Sequence, residues 1–71
     1  MYVETVPDGD GWMARVCGCD AIVVTFASAE EAAEAGRSLA EALGTEHVLK
    51  SRDGSIRERT SFAPDFGIVR G

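Results

Sequence analysis

Three side chains in this 71-residue chain are of types that hold soft metals or attack electrophiles: Cys17, Cys19 and the single histidine, His47. A structural zinc site takes four ligands, usually with roughly two to four residues between paired cysteines. Cys17-Gly18-Cys19 leaves one residue between its thiols, and only three soft ligands exist, so no metal is expected. A disulfide between positions i and i+2 is strained, and reduced thiols are the expectation. Nucleophilic catalysis needs a cysteine or serine beside a base that a third group orients. With one histidine, the pair would have to be Cys17 or Cys19 with His47, brought together from separate strands. Asp8, Asp10 and Asp53 sit among turn residues, and no carboxylate pair stands out as an acid–base couple. Gly9-Asp10-Gly11 could suggest a phosphate cradle, but such a loop opens a helix, whereas this one is acidic and leads into a strand. The reading is a protein that is not an enzyme, with no catalytic residue, no cofactor and no metal.

The element that must organise the rest is residues 28–44, SAEEAAEAGRSLAEALG. Ser28 followed three residues later by Glu31 is a capping box, with Glu31 reaching back to the cap amide, and Gly44 supplies a left-handed C-terminal residue. Ala29, Ala32, Ala33, Gly36, Leu39, Ala40 and Leu43 form one apolar stripe, opposite Glu30, Glu31, Glu34, Arg37, Ser38 and Glu41. A stripe of Ala and Gly lets the helix lie very close to whatever it covers. Gly36 in mid-helix costs about 1 kcal/mol relative to Ala, and close approach is its compensation.

Around that helix the pattern predicts short strands. Residues 2–6 read as the first, ended by the turn-forming Pro7-Asp8-Gly9-Asp10-Gly11, and residues 12–17 return. Alternation places Trp12, Ala14 and Val16 on one face and Met13, Arg15 and Cys17 on the other. Residues 21–26, AIVVTF, form the most β-prone run, with Ile22, Val24 and Phe26 toward the helix. Residues 46–51 and 56–62 form a hairpin across Asp53-Gly54, with His47, Leu49, Ile56, Glu58, Thr60 and Phe62 directed inward. The expected fold is α+β and two-layered: an antiparallel sheet in the order β-β-β-α-β-β with one helix on one face. Residues 1–63 make the single domain, and residues 64–71 a loosely attached tail or, through Phe66, Ile68 and Val69, a short edge strand.

The totals agree. A 71-residue chain makes one small domain, its 45% hydrophobic content excludes wholesale disorder, and no apolar run reaches the roughly 20 residues of a membrane span. The start, MYVETVPDGDGW, lacks the basic-then-apolar layout of a signal peptide, which predicts a cytoplasmic protein. A net charge of −5 disfavours nucleic acid, since phosphate contacts rest on Lys and Arg. The charge is uneven: four of the twelve acids lie on the outer helix face, and six of the seven bases lie outside the helix.

Val6-Pro7, Gly11-Trp12, Phe26 ahead of the capped helix, Glu30-Glu31-Ala32 and Ala35 within it, Arg52-Asp53-Gly54, Ile56 and Ser61-Phe62 together resemble a family of small bacterial proteins with the pattern VP…GW…EA…RDGxI…SY. That family is a domain of unknown function, the two-one-eight-eight family, and the resemblance covers residues 2–63. It implies a strand-rich domain with one helix and supplies no catalytic residue. Cys17-Gly18-Cys19 and His47 depart from the pattern, which sets them apart from any site common to the family.

Two surfaces remain as candidates. One helix covers only part of five strands, so the far sheet face is either solvated or occupied. It carries Arg15, Lys50, Arg57 and Arg59 among Met13, Cys17, Val23 and Val48, a mixture suited to a homodimer or, against the net charge, to a polyanion. The acidic stripe Glu30, Glu31, Glu34 and Glu41 could instead dock on a basic protein, as an inhibitor or nucleic-acid mimic does, including phage-encoded ones. The expectation is a non-enzymatic interaction module that self-associates through the uncovered sheet face, with a protein partner at the helix face as the alternative.

Overall fold

A computed structural model describes residues 1–18 and 23–63 of the chain. Five strands and one helix follow in the order β1 (Tyr2–Asp8), β2 (Gly11–Cys17), β3 (Val23–Phe26), α1 (Ala29–Leu43), β4 (Glu46–Lys50) and β5 (Ile56–Ser61). They form one five-stranded sheet, β3-β2-β1-β4-β5, with α1 packed against one face, which is the two-layer α+β class the sequence predicts. One pair departs from an all-antiparallel sheet: β4 runs parallel to β1, with Tyr2 opposite Glu46 and Thr5 opposite Leu49. The cause is the helix. β3 runs antiparallel to β2 and therefore in the direction of β1, and a helical crossover returns the chain in the direction it left.

The helix ends as its sequence dictates. The Ser28 hydroxyl accepts from the Glu31 amide at 3.2 Å and donates to the Glu31 carboxylate at 3.1 Å, so the box closes hydroxyl to carboxylate. Gly44 adopts φ 66° and ψ 41°, and its N–H reaches the carbonyls of Ala40 and Glu41. Ala32, Ala33, Gly36 and Ala40 are buried against the sheet. Leu39 and Phe62 pack on the cluster of Val3, Val16 and Ala40. Leu43, expected as a core contact, is 40% exposed because it stands at the last helical residue.

Register fixes the faces, since opposed residues share a side. Trp12, Ala14, Val16, His47, Leu49, Glu58 and Thr60 lie on the helix side, as expected, and Val3 and Thr5 of β1 join them. Val24 and Phe26 share that side opposite Ala14 and Trp12; Ile22 falls outside the described residues, as do Cys19 and 64–71. Two assignments change on β5. An irregularity between Leu49 and Lys50 sets Leu49 opposite Glu58 but Lys50 opposite Ile56, which leaves Arg57 as the extra residue. A bulge of this kind re-aims side chains. Ile56 therefore lies on the open face, 51% exposed, and not inward; Arg57 lines the groove beside α1 and not the open face.

The two hairpin ends are tied together. Arg52 donates to the carbonyl oxygens of Gly9 at 2.9 Å and Gly11 at 3.5 Å, and its guanidinium lies 5.2 Å from the centre of the Trp12 ring. A Cβ on Gly11 would stand 2.7 Å from the Phe26 carbonyl oxygen, so only glycine lets β2 and β3 meet there. Asp53 holds the turn by accepting from the Ser55 amide at 2.9 Å. The Gly-Trp and Arg-Asp-Gly segments, distant in sequence, are thus one structural joint.

Candidate functional site

The uncovered sheet face is built around a buried carboxylate. Glu4 lies on the central strand β1, flanked by Arg15 on β2 and by Val48 on β4, and is 2% exposed. Arg15 Nε donates to Glu4 Oε1 at 2.7 Å, with the second guanidinium nitrogen at 2.5 Å, while Lys50 Nζ meets Oε2 at 2.9 Å. The Cys17 thiol donates to Oε1 at 3.6 Å. Burial alone would push the Glu4 carboxyl up, but the hydrogen bonds from Lys50 and Arg15 outweigh it and hold the group below the ordinary carboxylate value. Those bonds also raise both bases above their ordinary values. Tyr2 rises through its hydrogen bond with Cys17 and the nearby Glu4 charge.

Seven of the eight residues expected on this face are there, Cys17 opposite Tyr2 among them. Met13, Arg15, Val23, Val48, Lys50 and Arg59 follow the register, and Arg57 is the exception given above. The structure adds Glu4, Val6, Tyr2 and Ile56. Sequence pattern hid Glu4, because a glutamate in a strand reads as a solvent-facing residue; its signal was its position opposite Arg15 across the hairpin. Val48 is buried at 5% and Val6 at 9%, although both lie on the face away from the helix. Tyr2, Val23 and Ile56 remain 38%, 49% and 51% exposed. A shallow cavity of about 180 Å³ lies among Tyr2, Val48, Lys50, Ile56 and Arg59.

On the helix layer, Glu30, Glu31, Glu34 and Glu41 are all exposed, as the stripe predicts. Glu30 and Glu34 border a groove of about 350 Å³ between α1 and the β4–β5 hairpin, floored by Ala33 and Leu49 and bordered opposite by Arg57. Arg37 crosses it to Glu58 at 2.8 Å.

Of the thiols considered as partners for His47, Cys17 is separated from it and Cys19 lies outside the described residues. Cys17 lies opposite Tyr2 on the open face, while His47 lies opposite Val3 beneath the helix, so the sheet stands between thiol and imidazole. His47 is 0% exposed, its Nε2 2.7 Å from Thr5 Oγ1, and its Nδ1 meets no hydrogen-bond partner. Burial, reinforced by the Arg37 charge and only partly offset by Glu58, pushes the imidazole below its ordinary value. Such a ring fills a core position beneath the helix. Among the described residues no group of three His, Cys, Asp or Glu is placed to hold a metal, and no helix is long and apolar enough to cross a membrane.

A family model described as an uncharacterized protein conserved in bacteria, DUF2188, matches residues 3–62. No curated protein and no solved structure matches the chain.

Proposed function

The chain belongs to this uncharacterized bacterial family, whose description assigns no activity, and we propose from that premise that it is a non-enzymatic interaction module that pairs with a second copy through its uncovered sheet face. The supporting observation is charge balance. The face carries Glu4, Asp8 and Glu46 against Arg15, Lys50 and Arg59, on a chain of net charge −5. Two copies meeting face to face bring together neutral surfaces and keep their acidic helices apart. Tyr2, Val23 and Ile56 supply apolar area to bury, and a two-fold contact is self-complementary by construction. A cytoplasmic location belongs to the same proposal.

Sedimentation at micromolar concentration tests it. The expected result is a dimer that Ile56→Lys dissociates; a species of 7.5 kDa alone overturns the reading.

One observation favours a second reading. Glu30, Glu31, Glu34 and Glu41 are exposed together, with Arg37 as the one base of the stripe, itself engaged by Glu58. This surface suits a basic protein partner. Reversal of Glu30, Glu34 and Glu41 to Lys should release any partner captured from the native host, and retention of every partner removes this reading.

A further inference from the structure

The two edges of the sheet differ in kind. β5 carries Arg57, Glu58 and Arg59 and is interrupted by the bulge opposite Leu49 and Lys50. β3 is Val-Val-Thr-Phe, carries no charge, and leaves Val23 and Val24 each 49% exposed. Sheets blunt their edges with charges and bulges to prevent pairing with other chains. Among the described residues, one edge has both devices and the other has neither.

Symmetry decides what each edge can pair with. Two copies joined edge to edge in antiparallel fashion share a two-fold axis normal to the sheet. Opposed residues must lie on the same face, so they are separated by an even number of positions, and one residue faces its own image. On β5 a register spanning the middle sets Glu58 against Glu58 or Arg59 against Arg59, and the first also sets Arg57 near Arg59. Like charges directly opposed are destabilising. On β3 the same operation sets Val24 against Val24 and Val23 against Thr25, which are favourable β-branched pairs. Self-pairing is therefore blocked at one edge and complementary at the other.

We propose that β3 is a strand-pairing edge for a second copy of this chain, antiparallel about an axis at Val24, which joins two five-stranded sheets into one of ten strands. The contact uses backbone N–H and C=O groups and not the side chains of the open face, so it stands independently of the face contact proposed above. The axis places both α1 helices on the same side of the joined sheet, and with them Glu30, Glu31, Glu34 and Glu41 of each copy. These faces repel, so added salt strengthens the pairing by screening. A contact held by ion pairs between copies would weaken instead.

Amide hydrogen exchange of the full chain, followed by NMR from micromolar to millimolar protein, tests the proposal. The outward-pointing amides of β3 should slow about tenfold where nine-tenths of the chains are paired, and slow further as salt is added. Val24→Lys sets a cation against its own image and should restore the dilute-solution rates, with circular dichroism showing the fold intact. If that variant fails to fold, the dilution series of the unaltered chain decides alone. Ile56→Lys, on the open face, should leave β3 protection unchanged; loss of protection there would assign the association to the face and overturn the edge contact. Exchange at β3 that ignores concentration also overturns it, whether fast throughout, as for an edge that pairs with nothing, or slow throughout, as for an edge covered within one chain.

Discussion

Thr5 and His47 meet at 2.7 Å directly beneath Gly36, and the helix can reach the sheet there only because Gly36 has no side chain. A Cβ at that position would stand 2.5 Å from Thr5 Oγ1 and 2.7 Å from His47 Nε2. The Thr5 hydroxyl also donates to the Ala32 carbonyl at 3.3 Å, so the pair fastens the helix as well as supporting it. With that hydroxyl proton directed at Ala32, the imidazole donates from Nε2 and leaves Nδ1 as a buried acceptor.

Gly36→Ala should therefore destabilise the protein. Helix propensity favours Ala by about 1 kcal/mol, while overpacking of a closed contact costs about 1–3 kcal/mol. Neither neighbour can yield, since Thr5 and His47 are both fully buried. The net expectation is a loss of up to about 2 kcal/mol by urea unfolding. A gain in stability would mean that the helix is free to lift from its seat.

Acid stability should fall in two windows. The folded His47 pKa lies below the ordinary 6.5 because of burial and the facing charge of Arg37, against a smaller opposing effect of Glu58. The unfolded chain takes up a proton at this site as pH drops through 6.5 while the folded chain does not. Stability is full above that value and declines as pH falls toward the folded pKa, with a slope of up to about 1.4 kcal/mol per pH unit. Glu4 adds a second decline, which begins only below its ordinary 4.5. Unfolding free energies measured between pH 7 and pH 4 should show the first decline in the native chain and not in His47→Gln.

Removing both cations from Glu4 should reverse the sign of its titration. Arg15→Gln with Lys50→Met takes away the hydrogen bonds that hold the carboxyl down and leaves burial, the largest single influence on the group, opposed only by the Cys17 thiol at 3.6 Å. Glu4 then titrates above its ordinary value, and stability rises as pH falls through that region. At neutral pH the midpoint of thermal unfolding should drop by roughly 10 °C, because an uncompensated charge stays buried. Glu4→Gln in the same background should recover most of that loss. A carboxyl that stays depressed in the double variant would show that backbone dipoles, and not the two cations, set its state.

Much of this structure was legible in the residues and one part was not, for reasons particular segments show. Ser28, Glu31 and Gly44 fix α1 through local hydrogen bonds, which sequence expresses directly. Alternation along residues 12–17 gave the correct faces of β2, because one face of that strand meets the helix. The parallel pairing of β1 with β4 depends on where a crossover lands, and no neighbouring residue encodes it. Ile56 and Arg57 were misplaced because the bulge at Leu49 and Lys50 breaks the period of two on which facing is judged. At the candidate site the basic and apolar residues were visible, but Glu4 was not. Its burial follows from a central strand position and two partners, one on either side, that only the sheet order brings together.

Arg52 offers the last test, since it links the two hairpins through contacts that lysine cannot reproduce. Its guanidinium lies over the Trp12 ring, 5.2 Å from the centroid, and donates from separate nitrogens to Gly9 and Gly11. An ammonium is a point charge on a flexible stem, so Arg52→Lys keeps the charge and loses the fork and the flat surface. The effect should be local: amides of Gly9, Asp10 and Gly11 should exchange about two- to fivefold faster, the equivalent of the ~0.5–1 kcal/mol of an exposed cation–π contact. Amides of β4 and α1 should keep their rates, because Arg52 lies beyond the end of β4 and its side-chain hydrogen bonds go to Gly9 and Gly11. Equal acceleration across the sheet would show that the joint at Trp12 supports the whole domain and is not confined to the tip of the β1–β2 hairpin.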